Sequence, residues 1–309
     1  MRHNEVEHVT VATEIPFGSI LRAHMEWLAN PAQGRRADLS GLTLNETKVA
    51  HADLRRAILK GITLLDAHWT ECDMSGASLE NSDLERANLA GCDMTGCSLD
   101  DANFAGSWMA GANLSECKGS RVSFRRAKLT GARFMDASLQ QCSFHEAVLD
   151  SAMFHQARLY ELDCQASSLT STHFYHCRIQ HTRFNNSNAS LASFQGAKLD
   201  HCQFTSATLD GARFSKAEIT QGIFRNASLK NCDFRDIRMR GGEFARATLT
   251  GARFGGAQLT MTDFRGANLE GAKELTAEQL QQVLTDRGTI LPNGSRGPYM
   301  RFSGAEKPL

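Results

Sequence analysis

The residues of this 309-residue chain whose types could do chemistry are nine cysteines and eleven histidines. Thiolates and imidazoles at short spacing hold zinc, and thiolates with a charge partner act as nucleophiles or redox centres. Spacing decides between these uses and simple burial. Cys72, Cys92, Cys97, Cys117, Cys142, Cys177, Cys202 and Cys232 are all separated by multiples of five residues, and only Cys164 leaves that series. A regular small-residue position occupied by Cys reads as a buried hydrophobe. The odd total, and Glu5, Glu7 and Glu14 where a secretion signal needs an apolar stretch, predict reduced thiols in a cytoplasmic protein. The densest run of ligand types is His173-Phe174-Tyr175-His176-Cys177-Arg178-Ile179-Gln180-His181. His181 and His201 stand twenty residues apart, with Glu161 twenty before. Tetrahedral zinc needs convergent ligands and supporting hydrogen bonds, and a column of this kind supplies no convergence by itself, so no metal site or cofactor is expected. Walker, GxSxG and HExxH motifs are absent, which argues against an enzyme.

The element that positions these residues is a five-residue unit. From Leu39 to Leu269 every fifth residue is Leu, Phe or a substitute, and the register holds over 47 units from Ala37 to Gly271. Two places before each centre stand 24 Ala, 8 Cys, 4 Ser, 4 Thr, 2 Gly and 5 larger apolar residues, namely Leu42, Ile62, Val122, Leu162 and Ile237. A helix would walk such a stripe around its axis, and a strand would flip it at every repeat. A chain that turns a corner every five residues carries it, with one small and one large side chain pointing inward from each short side.

Runs such as Ala87-Asn88-Leu89-Ala90-Gly91, Ala112-Asn113-Leu114 and Ala267-Asn268-Leu269-Glu270-Gly271 resemble the A(D/N)LxG consensus of bacterial pentapeptide-repeat proteins, over about three quarters of the chain. The resemblance implies an all-β fold, a right-handed quadrilateral β-helix with four repeats per coil. Phe supports an even number of sides: it fills 15 of the 17 centres at every tenth residue from Phe104 to Phe264. Phe124, Phe144, Phe184 and Phe204 then stack along one side, and Phe134, Phe154, Phe174 and Phe194 along the opposite one. Almost twelve coils at about 4.8 Å each predict a rod roughly 55 Å long.

Three regions follow. Residues 1–36 form an N-terminal segment with a helix over Phe17 to Ala29, whose Trp27 is expected to cover the first coil. Residues 37–272 are the solenoid. Residues 273–309 hold a C-terminal helix that starts at the capping box Thr276-Ala277-Glu278-Gln279, runs to about Asp286 and turns Leu280, Val283 and Leu284 to one face. A Gly/Pro-rich tail from Asn293 follows, expected to be extended or mobile. In gyrase-protecting members of the family a C-terminal element dimerises, so the resemblance also allows a homodimer through this cap.

Charge is where the sequence speaks to function. Net charge is zero, yet Ile62 to Cys117 holds ten acidic residues against Arg86 alone, and Lys118 to Ala272 holds 20 basic against 13 acidic. Twenty residues per coil puts Lys118, Arg158, Arg178, Lys198 and Arg238 in one column, interrupted by Ser138 and Glu218. Asp53, Asp73 and Asp93 form another, continuing through Asn113 to Arg133. Trp108 is outward, a candidate anchor for a partner. Gly119 and Ala189 underfill their centres and predict local cavities and bending. The expected role is a non-catalytic protein-binding scaffold or adaptor, which family resemblance extends to secretion systems and their effectors. The alternative is a DNA mimic that regulates a type II topoisomerase or another DNA-binding enzyme, for which a rod acidic over most of its length is required. Direct nucleic-acid binding is not expected, because the cationic column lacks interleaved aromatics, and no apolar run of about 18 residues predicts membrane insertion.

Overall fold

A corner every five residues is an unusual demand on a backbone, and the residue after each A(D/N)Lx tetrad meets it. In the computed structural model, which describes residues 17–308, that fifth residue is left-handed throughout, from Gly41 (φ 67°) to Gly271 (φ 66°). Glu5, Glu7 and Glu14 lie outside the described residues. Many corners are turns closed by an i to i+3 bond, as where the Ala207 N–H donates to the Phe204 carbonyl at 3.1 Å across Ser206 (φ 57°), while most of those that follow the three-residue strands, His181 and His201 among them, are bends. Thirty-odd corners are not glycine, but none is Val, Ile or Thr. A β-branched side chain is the least tolerant of positive φ, so their absence is the sequence mark of this backbone.

The result is a parallel β-solenoid of about eleven turns. Residue i pairs with i+20 from Asp38–Ile58 to Arg133–Met153 and again from Asp163–Arg183 to Arg253–Lys273, and the last parallel bridges, Asp263–Leu284 and Asn268–Ile290, are longer by one and two residues. Two compact units, Met1–Met153 and Phe154–Leu309, make it up. The first holds α1 (Phe17–Ala29), β1 (Lys48–Ala50), β2 (His68–Thr70), β3 (Lys118–Ser120) and β4 (Ser138–Gln140). In the second are β5 (Arg158–Tyr160), β6 (Arg178–Gln180), β7 (Lys198–Asp200), β8 (Glu218–Thr220), β9 (Arg238–Arg240), β10 (Gln258–Thr260) and α2 (Ala277–Gln281). β5 to β10 pair in parallel and in order, all in the twenty-residue register.

The interior is two facing ladders of rings. In the second unit Phe174 stacks on Phe194 and Phe184 on Phe204, both at 4.8 Å, while Phe184 meets Phe194 edge-on across the axis at 6.1 Å and 83°. The first unit repeats this, with Phe104, Phe124 and Phe144 stacked and Phe134 edge-on to Phe124 at 5.9 Å. Phe154 stacks on Phe174 at 5.0 Å. Turn spacing imposes the stacking, and the edge-on crossing is what ring quadrupoles prefer. Each buried ring contributes about 1.5–3 kcal/mol. The inward small position completes the core: Ser82, Ser107 and Ser187 donate to the carbonyl three residues back at 2.6–2.8 Å, so their hydroxyls are buried without loss.

All nine thiols are free and buried. Several donate to the centre carbonyl of the preceding turn, Cys97 to Met74 at 3.1 Å and Cys232 to Leu209 at 3.0 Å. Burial pushes the Cys97, Cys177 and Cys202 thiols up to about 12 and Cys142 to about 11, which makes them poor nucleophiles.

The caps differ from expectation in their details. At the N-terminus Phe17, Leu21 and His24 are the buried residues of α1, not Trp27. Trp27 is half-buried and lies one layer out, stacked on His24 at 5.6 Å with Arg36 over its ring. Phe17 instead meets Trp69, whose indole N–H donates to Thr47 Oγ1 at 2.9 Å. At the other end the capping box forms at Thr276 and Gln279, but α2 stops at Gln281, well short of Asp286. Gln279 also donates to the Phe254 and Ala257 carbonyls of the last turn, tying the helix down early. Leu280 is buried, whereas Leu284 is 53% exposed: its backbone pairs in parallel with Asp263, one residue beyond the twenty-residue register, and an outward position results. The segment from Asn293 turns back instead of extending, with Leu291 N–H to Ser295 at 2.8 Å, Gly297 N–H to Thr289 at 2.9 Å and Ala305 buried.

Candidate functional site

Strand alternation with the centre inward leaves the residues before and after it outward, so the cationic column lies on the open face of the β5–β10 sheet. Arg158 pairs in register with Arg178, Arg178 with Lys198, Lys198 with Glu218, and Glu218 with Arg238. The first three and Arg238 are exposed. Lys118 opens β3 in the first unit and is exposed there. Glu218 neutralises its two neighbours, with Lys198 Nζ at 2.9 Å and Arg238 at 3.6 Å, and the Lys198 contact holds its carboxyl below the usual range. Among the described residues, Arg158 and Arg178 have no carboxylate within ion-pair distance. Two like charges about 4.8 Å apart repel by about 0.9 kcal/mol even at the dielectric of water. Arg240, which ends β9, adds an exposed cation on the same face. It is not in the column the sequence singles out, although the same twenty-residue folding applied two positions later finds it.

The acidic column is real in register, since Asp53 pairs with Asp73, Asp73 with Asp93 and Asp93 with Asn113. Its side chains, however, are engaged locally. Asp73 Oδ1 accepts from the Ser75 N–H at 3.0 Å and hydroxyl at 2.7 Å, and Asp93 Oδ1 from the Thr95 N–H at 2.8 Å and hydroxyl at 2.5 Å. Each therefore closes its own corner as an Asx turn. Arg55 reaches both Asp53 (2.7 Å) and Asp73 (3.8 Å), and Arg86 binds Asp66 at 2.7 Å.

Trp108 is 54% exposed, as an anchor requires, and the twenty-residue register sets Lys128 beside it, with Nζ 3.9 Å from the indole centroid. The histidine column is also in place. His181 stacks on His201 at 5.0 Å, and Asp200, which ends β7, joins them so that one ligand atom from each of the three lies within 4.8 Å of the others. Glu161, the third member suggested by the sequence, is not in that group.

The sequence matches Pentapeptide repeats (8 copies) at residues 63–99, 97–136 and 132–161, a Pentapeptide repeat region at 163–227 and Pentapeptide repeats (9 copies) at 224–268. The chain belongs to the pentapeptide-repeat family. No curated protein matches this pentapeptide-repeat chain. Among solved structures it is similar to HetL, a pentapeptide repeat protein involved in heterocyst differentiation regulation from the cyanobacterium Nostoc sp., at 21% identity over 91% of this chain and 98% of that one, with a TM-score of 0.36. It is also similar to QnrB1, a plasmid-mediated fluoroquinolone resistance protein, at 20% identity over 69% of this chain and 88% of that one, with a TM-score of 0.34. At these identities the likeness reports the fold alone. No helix among the described residues of the pentapeptide-repeat chain is long and apolar enough to cross a membrane.

Proposed function

We infer that this pentapeptide-repeat protein is a non-catalytic docking platform, a scaffold or adaptor that receives an acidic protein partner on the open face of β5–β10. The observation that carries this is the in-register stack Arg158, Arg178, Lys198, whose first two members have no carboxylate partner among the described residues. Stacked like charges weaken the free protein slightly and are relieved by an anionic surface. A flat sheet presents them at a fixed repeat, which suits an extended acidic segment or strand edge better than a small molecule, for which a concave pocket is needed. Asp73 and Asp93 serve their own turns, so the first unit's acidic column supports the fold before it supports any imitation of DNA phosphates.

The test compares affinity capture by the full chain and by the Arg158→Glu/Arg178→Glu variant, with captured proteins quantified by mass spectrometry at two salt concentrations. An acidic partner held by wild type, released by salt and lost in the variant is the expected result. Equal recovery by both proteins, or recovery of a type II topoisomerase whose supercoiling activity the variant still inhibits, overturns it.

A further inference from the structure

The geometry points to a divalent transition-metal site, of the zinc class, formed by His181, Asp200 and His201. Imidazole nitrogen and carboxylate oxygen are the donors that such ions select, and three of them converge here at exposed or half-buried positions. Parallel pairing supplies the convergence. His181 and His201 are the corners that follow β6 and β7, left-handed at φ 50° and 52°, so their side chains leave the backbone in the same direction one turn apart. Their rings are 5.0 Å apart and 21° from parallel. Asp200 immediately precedes the second corner, and its Oδ1 lies 2.8 Å from His201 Nδ1.

The spacing is close to what an ion requires. Metal–ligand distances of 2.0–2.2 Å put tetrahedral donors about 3.4 Å apart, and the three ligand atoms already lie within 4.8 Å of one another. His181 and His201 are exposed, so the remaining approach needs only side-chain rotation. The neighbours are arranged to leave the group available. Glu161, one turn before His181, is engaged by the Tyr160 hydroxyl, and the Tyr160 ring packs edge-on against His181 at 5.7 Å, which limits the imidazole's swing. Three protein ligands leave a fourth position for water or for a side chain of a docked partner. Because the ligands come from consecutive turns, the ion would also fasten the end of β7 to that of β6.

Zinc alone, titrated calorimetrically into chelator-stripped full-length protein, tests the site, with cobalt substitution to report coordination number in the visible spectrum. One equivalent per chain, a four-coordinate cobalt spectrum and a zinc-dependent rise in Tm are expected for wild type. His181→Asn, His201→Asn and Asp200→Asn should each weaken binding at least tenfold and abolish the Tm rise. Asn is at ease at the positive φ of the two histidine corners and has the shape of Asp at position 200, so unliganded variants should keep the wild-type Tm. His176→Asn, at the preceding corner, should bind as wild type. Absence of stoichiometric zinc binding by wild type, or wild-type affinity in any of the three variants, overturns the assignment.

Discussion

A Cβ built on Gly119 would lie 2.6 Å from Val122 Cγ2: the side chain missing from one centre is supplied by an oversized residue at the next inward position. The sequence predicts a cavity and a bend at Gly119, and this exchange of volume removes the local cause. The mirror case occurs where a small position is Gly: Ile219 Cγ2 lies 2.7 Å from the corresponding point on Gly222, and Met239 fills the space at Gly242. Val122→Ala should therefore destabilise by about 1–3 kcal/mol, the cost of deleting buried methyls with little room to collapse. Gly119→Leu alone should be overpacked, and the double variant should recover most of both losses. Denaturant unfolding of the four proteins reads the coupling, and additive effects would show that the two residues do not share a volume.

Gly61 isolates the cost of a corner. It sits at φ 62° and an added Cβ meets nothing within 4 Å. Gly61→Val should cost about 1–2 kcal/mol from backbone conformation alone, and Gly61→Asn much less. Equal losses in a denaturant titration would remove the explanation offered for the absence of β-branched corners.

His24 makes the N-terminal cap sensitive to acid. Its Nδ1 accepts the Ala37 N–H at 3.0 Å, which places the proton on Nε2, 3.1 Å from the Arg55 carbonyl. Burial lowers its folded-state pKa below 6.5. Below pH 6.5 the unfolded state binds a proton that the folded state refuses, so stability is full above that pH and falls toward the lower folded pKa, by at most about 1.4 kcal/mol per unit. Trp27 fluorescence and urea midpoints from pH 7.5 to 5 should show this loss in wild type, with a flatter profile in His24→Leu.

The buried thiols act at the alkaline end. Cys202 is raised to about 12 by burial, so above pH 9 the unfolded chain loses a proton that the folded chain retains. Stability is full below pH 9 and declines as pH rises toward 12, each such thiol adding about 1.4 kcal/mol per unit to the slope. Cys202→Ala should make that slope shallower. Maleimide labelling at pH 8 should be negligible until denaturant is added, and rapid labelling of the native protein would contradict the burial argument.

Lys128 and Trp108, 3.9 Å apart on an exposed face, should show a coupling of about 0.5–1 kcal/mol in a double-mutant cycle to Ala. A coupling indistinguishable from zero would mean that the pair is available to a partner at no cost. A measurable one sets what the partner must displace.

The fold was legible because the repeat states it redundantly. Two inward positions in every five, one small and one large, fix where each side chain points, and the Phe period of ten fixes which sides oppose. Phe184 stacks on Phe204 and crosses Phe194 for reasons that can be read from spacing alone. The ends carry no repeat, and there the sequence misleads in detail: Leu284 has helical spacing from Leu280, yet Gln279's bonds to the last turn stop the helix and return Leu284 to an outward strand position.

Outward positions divide in the same way. Period alone places Arg158 over Arg178 and His181 beneath His201, because parallel pairing translates each turn onto the next. Whether Asp73 faces a partner or its own Ser75 is a matter of its rotamer, whereas whether Lys128 lies on Trp108 and whether Asp200 joins His181 depend on neighbours about nineteen or twenty residues away. The last two are set by contacts between turns, which only the wound chain brings within reach.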